Sequence, residues 1–293
     1  QFTDKIPPSL WWQKILQPYL NLEDVTVLRC TAGFFTSFWN TVLRQNQIRV
    51  PRDCSTLRKA MALAVVFAEK GVYTAAHPLR VRIGPGLHDL ARHSGALTVV
   101  PCDHVRLIGE GPDHTKVKGG FKVENRQGVV FENMTITNRV PTSRERYWDS
   151  RGLWLTGVST LVDILGCVVK ACTGTGMVVE DGATVVATDS KFEENKCHGV
   201  ECSGDPFPGN GVGNDVTVRL NNCNITDNES VGLYANEHVL VDIHGGSSSI
   251  HGNWGWGVYA PCGIVHIHLP STHNTMQENG DDTVCEEQWA QCS

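Results

Sequence analysis

The feature that most constrains this chain is a repeat running from about Cys167 to Asn279. Four segments align: Cys167 to Gly176, Ser190 to Gly199, Cys223 to Gly232 and Ser248 to Gly257. Each closes on glycine, and the last three carry Asn195, Asn228 and Asn253 four residues earlier. The third position is always apolar, namely Val169, Phe192, Ile225 and Ile250. Another apolar stretch follows each glycine: Met177-Val178, Val200, Leu233-Tyr234 and Val258-Tyr259. The glycines are spaced 23, 33 and 25 residues apart, and the long interval holds a Pro/Gly-rich loop from Asp205 to Asn214. A fifth copy ends at Asn279-Gly280.

Short strands recurring about every two dozen residues specify stacked coils rather than one compact sandwich. Apolar positions alternate with polar ones, as in strands with one buried face. A single coil cannot bury its inner side; stacking brings like positions into contact along an axis. The aligned asparagines then form an internal amide ladder at a bend. The aligned glycines are expected to supply backbone conformations that side chains forbid. This pattern predicts a mainly β protein, a right-handed parallel β-helix.

Composition narrows the function classes. Formal net charge is -6 and no long basic run occurs, which argues against a nucleic-acid partner. No apolar run approaches the ~20 residues of a membrane span. The opening Gln-Phe-Thr-Asp-Lys shows neither an initiator Met nor a signal peptide, so targeting information is expected to be missing. Eleven cysteines are an odd count for a disulfide framework. Cys167 and Cys223 share a repeat column with Ser190 and Ser248, which suits small buried thiols. A reducing, cytoplasmic or nuclear setting is expected, with secretion left open. The sequons at Asn133, Asn224 and Asn228 are as frequent as chance allows, and Asn228 is a ladder position expected to be buried.

Residues 1–50 differ in character. Apolar positions spaced three and four apart, with cap residues between them, predict short helices too small for a core of their own. Residues 51–293 are assigned to the β-helix, opened by a capping helix over 55–70 with Ser55 or Thr56 as N-cap and Gly71 as its stop. Strands are expected at 79–83, 97–100, 105–108 and 129–136. A protruding loop is expected from Arg139 to Arg151, and an end cover from Asp281 onward.

The run Ile6-Pro-Pro8-x-Leu10-x4-Ile15-Leu16-x2-Tyr19-Leu20-x3-Asp24-Val25-x2-Leu28-Arg29 resembles an F-box. Together with the repeats, it makes the whole chain similar to F-box-only proteins that carry a parallel β-helix of carbohydrate-binding/sugar-hydrolase repeats, a pectin-lyase-like solenoid. The resemblance implies a substrate-recognition adaptor of a Skp1-cullin-type ubiquitin ligase. Pro8, Leu10, Ile15, Leu16, Leu20, Asp24 and Leu28 would meet a Skp1-like partner, and the β-helix would hold a protein target. Two features depart from the F-box pattern: Pro18 inside the expected helix, and the apolar run Phe34-Phe35-Thr-Ser-Phe38-Trp39. The unit either binds a partner or only packs on the solenoid.

The other functional class is a carbohydrate-active β-helix: a polysaccharide lyase, epimerase or hydrolase. A non-catalytic structural or assembly role is a third. Outward stripes counted back from the turns give Lys170, Glu193, Thr226 and His251; Val168, Lys191, Asn224 and Ser249; and Asp163, Val186, Arg219 and His244. None stacks two acids, and no Gly-His-Gly triplet occurs, so no catalytic set is assigned and the chain is read as leaning away from catalysis. The residues nearest to an acid–base group are Lys191, Glu193, His198 and Glu201. Arg146, Tyr147, Trp148, Arg151, Trp254 and Trp256 are the candidate target- or sugar-binding surface, since ring faces anchor interfaces and cations suit anionic ligands. No cofactor and no metal is assigned. The spacing Cys167-x4-Cys172 and Cys197-x4-Cys202 scatters its thiols around a coil, which tetrahedral zinc does not allow, and His266-x-His268 stands as a lone pair.

Overall fold

A computed structural model describes residues 46–69, 73–90, 97–139, 150–204, 215–268 and 276–280. In chain order these hold β1 (Gln47–Val50), helix α1 (Leu57–Ala68), β2 (Leu79–Ile83), β3 (Gly86–Asp89), β4 (Thr98–Val99), β5 (Val105–Ile108), β6 (Thr115–Lys118), β7 (Phe121–Glu124) and β8 (Val129–Glu132). Then come β9 (Thr135–Thr137), β10 (Leu153–Thr156), β11 (Leu161–Leu165), β12 (Val168–Lys170), β13 (Met177–Glu180), β14 (Thr184–Thr188), β15 (Lys191–Glu193) and β16 (Val200–Ser203). The last are β17 (Val216–Asn221), β18 (Asn224–Thr226), β19 (Leu233–Ala235), β20 (Val239–His244), β21 (Ser249–His251), β22 (Val258–Tyr259), β23 (Ile264–Ile267) and β24 (Met276–Gln277).

From β2 onward every third strand joins the same sheet, and β1 adds to β2. Sheet A runs β1-β2-β5-β8-β11-β14-β17-β20-β23, sheet B runs β3-β6-β9-β12-β15-β18-β21-β24, and sheet C runs β4-β7-β10-β13-β16-β19-β22. All pairings are parallel. The chain therefore winds A to B to C and climbs one strand spacing, about 4.8 Å, per coil. This is a parallel β-helix. The repeat's third position stacks as read, Val169 on Phe192 on Ile225 on Ile250.

The core is the inward half of each strand. On sheet A, Leu107, Phe131, Ile164, Ala187, Leu220 and Ile243 stack in register, and all are buried. Facing them on sheet C are Phe121, Leu153, Met177, Val200, Leu233 and Val258. Helix α1 closes one end: Leu57, Ala60, Met61, Ala64 and Phe67 join the core, and the Thr56 side chain accepts the Lys59 amide as N-cap. The solenoid reaches back to β1, ahead of the boundary expected at residue 51. The F-box-like residues 6–29 lie outside the described residues.

The stretch 129–136, expected as one strand, is two. Asn133 turns the chain at φ +54°, and the same left-handed corner recurs at Gly166, Asp189 and Asn222. The asparagine ladder is present: Asn195 Nδ2 donates to Asn228 Oδ1 (2.9 Å), Asn228 Nδ2 to Asn253 Oδ1 (2.8 Å), and Asn253 Nδ2 to Asn279 Oδ1 (2.9 Å). The reason for the glycine column differs from expectation. Gly176, Gly199, Gly232 and Gly257 are not in the left-handed region. A Cβ on Gly199 would instead lie 2.7 Å from Asn228 Nδ2 and 2.5 Å from Ile225 Cγ2, and each of the others meets the next ladder amide as closely. The asparagines need the space that the glycines leave.

Candidate functional site

The outward faces of the sheets carry the chemistry. On sheet C the register sets Lys122, Trp154, Val178, Glu201, Tyr234 and Tyr259 in one line along the axis, one per coil. Val178 is buried and forms the floor; the flanking side chains are half-buried. Two residues further along the strands, Glu124, Thr156 and Glu180 make a parallel line. Trp256 stacks on Tyr259 with centroids 4.0 Å apart, Tyr259 tilts against Tyr234 at 5.6 Å, and His198 stacks on Tyr234 at 5.3 Å. Lys122 Nζ and the Arg151 guanidinium sit over the Trp154 ring at 4.3 and 4.8 Å, a cation–π arrangement.

Carboxylates from adjacent coils meet on this face, contrary to the expectation from the sequence stripes, which covered sheets A and B only. Glu180 accepts the Trp154 indole N–H and lies 3.7 Å from the Arg151 guanidinium. Glu201, on the next strand, accepts from Thr175 Oγ1 (2.9 Å). Burial raises the Glu180 pKa above its ordinary value. The Trp154 bond and Arg151 oppose the rise, and the neighbouring Asp181 and Glu201 charges add to it. Such a carboxyl is suited to giving up a proton.

Beside Glu201, Cys197 and His198 occupy the turn into β16. Burial opposes both shifts but is outweighed. Hydrogen bonding and charge interaction with His198 lower the Cys197 pKa, while Cys197 and Glu201 raise that of His198. Cys167, Cys172 and Cys202 lie in the core instead, and all eight described cysteines are free thiols.

The structure divides the sequence-derived candidates. Arg151, His198, Glu201 and Trp256 are spread along sheet C, Arg151 beside Trp154 and Glu180, His198 against Tyr234, and Trp256 against Tyr259. Trp254 stands apart as an exposed ring, at 73%. Lys191 and Glu193 point outward from sheet B, where Glu193 pairs with Lys170 at 3.3 Å, so Lys191 is not part of a group with His198 and Glu201. Arg146, Tyr147 and Trp148 lie outside the described residues. Reading the sequence missed Lys122, Glu124, Trp154 and Glu180 as a set. The signal was there, since each follows its coil's glycine by two or four residues, counting from Gly120, Gly152 and Gly176.

On sheet A the stripe expected as Asp163, Val186, Arg219 and His244 is corrected at its last member. The register continues from Arg219 to Asp242 and then His266. The turn from β20 to β21 spans Gly245 to Ser248, two residues more than the Asn222-Cys223 turn before it, so counting back from the turn lands one outward position late. His266 and His268 are consequently not a lone pair: both ring nitrogens approach Asp242 Oδ1, at 3.2 and 3.3 Å.

With the geometry in place, one family model bears on the hand of the coil. The family described as "Right handed beta helix region" matches residues 107–216. The coil is right-handed. Among solved structures, pectin methylesterase from Erwinia chrysanthemi is similar at 10% identity and TM-score 0.40, covering 73% of this chain and 78% of that one. The A-module of a mannuronan C-5 epimerase from Azotobacter vinelandii is similar at 16% identity and TM-score 0.40, covering 77% and 73%. The catalytic domain of a GH87 alpha-1,3-glucanase in complex with tetrasaccharides is similar at 10% identity and TM-score 0.35, covering 80% and 58%. No curated protein matches the chain. Among the described residues, no helix is long and apolar enough to cross a membrane.

Proposed function

We propose that the outward face of sheet C binds a saccharide chain along the solenoid axis and that Glu180 is the proton donor of a carbohydrate-active site. The observation that carries this reading is the single register of Trp154, Val178, Glu201, Tyr234 and Tyr259 on successive coils. The coil rise of about 4.8 Å is close to the length of one pyranose unit in an extended glycan. Ring faces offer apolar area to sugar C–H faces, while Lys122 and the carboxylates offer hydrogen bonds to hydroxyls. With Glu180 protonated as donor, the carboxylates of Glu124, Asp181 and Glu201 still outnumber the cations Lys122 and Arg151, so an uncharged glycan fits better than a polyuronate.

Calorimetric titration with neutral glucan oligosaccharides and with polygalacturonate tests the reading. Binding is expected for the neutral series, weakened at least tenfold by Trp154→Ala. Glu180→Gln is expected to keep binding and to cut product release by about 10²-fold or more. No binding to any member, or binding indifferent to both Trp154→Ala and Tyr234→Ala, overturns it.

A second reading, the adaptor of a ubiquitin ligase, is supported by the F-box-like residues Pro8 to Leu28 and by one structural point. Helix α1 already closes the end of the stack, so the residues before β1 are not needed as its lid. In that reading they bind a Skp1-like protein, and the solenoid holds a protein target. A pulldown with a Skp1-type protein decides it: capture by wild type and not by Leu20→Asp supports the adaptor, and no capture by a folded wild-type chain removes it.

A further inference from the structure

Away from sheet C, the last coils of sheet A gather a second cluster. Asp242 and His244 alternate on β20 and so share its outward face. His266 pairs with Asp242 in register, and His268 follows one position beyond β23, its amide donating to Ile243 O at 2.9 Å. One donor atom each from Asp242, His244 and His268 lies within 4.8 Å of the others. The His244 and His268 rings are parallel, with centroids 4.0 Å apart and planes at 8°. His244 Nε2 is buried and has no hydrogen-bond partner, although a buried polar nitrogen ordinarily has one.

We propose that Asp242, His244 and His268 bind a divalent transition-metal ion, with zinc the best match. Two imidazoles and one carboxylate are the donors zinc takes when a fourth position is left to water. Calcium and magnesium prefer all-oxygen shells and do not suit this set. Zinc bonds of about 2.0–2.2 Å place ligand atoms closer together than they stand now. Binding also requires one imidazole to rotate out of the parallel stack so that both lone pairs converge, a movement open to the exposed His268. An ion held through His244 Nε2 gives that nitrogen the partner it lacks. Arg219 approaches the other carboxylate oxygen, Asp242 Oδ2, at 3.7 Å, and thereby leaves Oδ1 turned toward the histidines. His266 Nδ1, at 3.2 Å from Oδ1, orients the carboxylate from the side. Arg219 and His266 are positioning residues, not ligands.

Zinc chloride titrated into chelator-treated full chain tests the site, followed by cobalt(II) as a spectroscopic probe. One zinc per chain is expected, with a tetrahedral cobalt spectrum free of thiolate charge-transfer bands. Asp242→Ala and His268→Ala are each expected to weaken zinc binding at least tenfold, with thermal melts of the chelated variants matching wild type. His244→Gln should do the same, and it guards against a fold defect in either alanine variant. A thiolate band in the cobalt spectrum would place the ion on cysteines and overturn the assignment. So would zinc affinity unchanged in both Asp242→Ala and His268→Ala, or no stoichiometric zinc.

Discussion

Asn228 shows how much one side chain carries in a stacked coil. Its amide donates to Asn253 Oδ1 and to Phe192 O, and its carbonyl accepts from both the backbone N–H and the side-chain amide of Asn195. The residue is fully buried, so the sequon it heads has no access to glycosylation in the folded chain. Asn228→Ala leaves those partners unpaired away from water and is expected to cost about 3 kcal/mol, read as a lower denaturation midpoint in urea. The apolar column and the amide ladder were legible in the sequence because both repeat with the coil. The role of Gly199 was not, because the atom it makes room for sits 29 residues further on. Cys197 is the other residue whose character came from its setting. Lowered by His198, its thiol is expected to be alkylated by iodoacetamide at pH 7 faster than Cys54, pushed up to about 12 by burial, or Cys102, pushed up to about 11. Peptide mass spectrometry over a time course checks the order.

At the scale of the element, sheet C combines structural and chemical demands on the same strands. Leu153 and Leu155 of β10 fill the core while Trp154 between them faces out. Placing Glu180 against that ring raises its pKa in the fold, chiefly by burial. A carboxyl whose folded value lies above the unfolded one contributes stability below the unfolded value, near 4.3, and that contribution is lost as pH rises through the folded value. At pH 7, above the unfolded value, holding this carboxyl in the fold therefore costs stability. Glu180→Gln is expected to melt higher than wild type at pH 7, with the difference vanishing below about pH 4. A variant no more stable at pH 7 would show that the fold does not raise this pKa, because the Arg151 and Trp154 contributions are already included in it. A gain in stability alongside lost turnover is what an acid kept at a site for function predicts.

For the whole molecule, the coil is a nearest-neighbour structure: each strand pairs only with the coils above and below. Sheet edges at the ends of such a stack invite further pairing, and helix α1 covers one of them. The two candidate sites lie on different sheets, so neither needs the other's residues. What the sequence determined by itself was whatever repeats. Period, inward column, asparagine ladder and capping helix are local or periodic, and they decide that this chain winds as a parallel β-helix. Tertiary structure alone decided which outward side chains meet. A contact between coils depends on turn length, and the longer Gly245–Ser248 turn moved Asp242, not His244, into line with Arg219 and His266. Trp154 and Glu180 carry a periodic signal in their offsets from Gly152 and Gly176, but the contact of Glu180 with Arg151 has no such signal and comes only when the coils stack. Function at a solenoid surface is written across coils, and the register of those coils is fixed only when they stack.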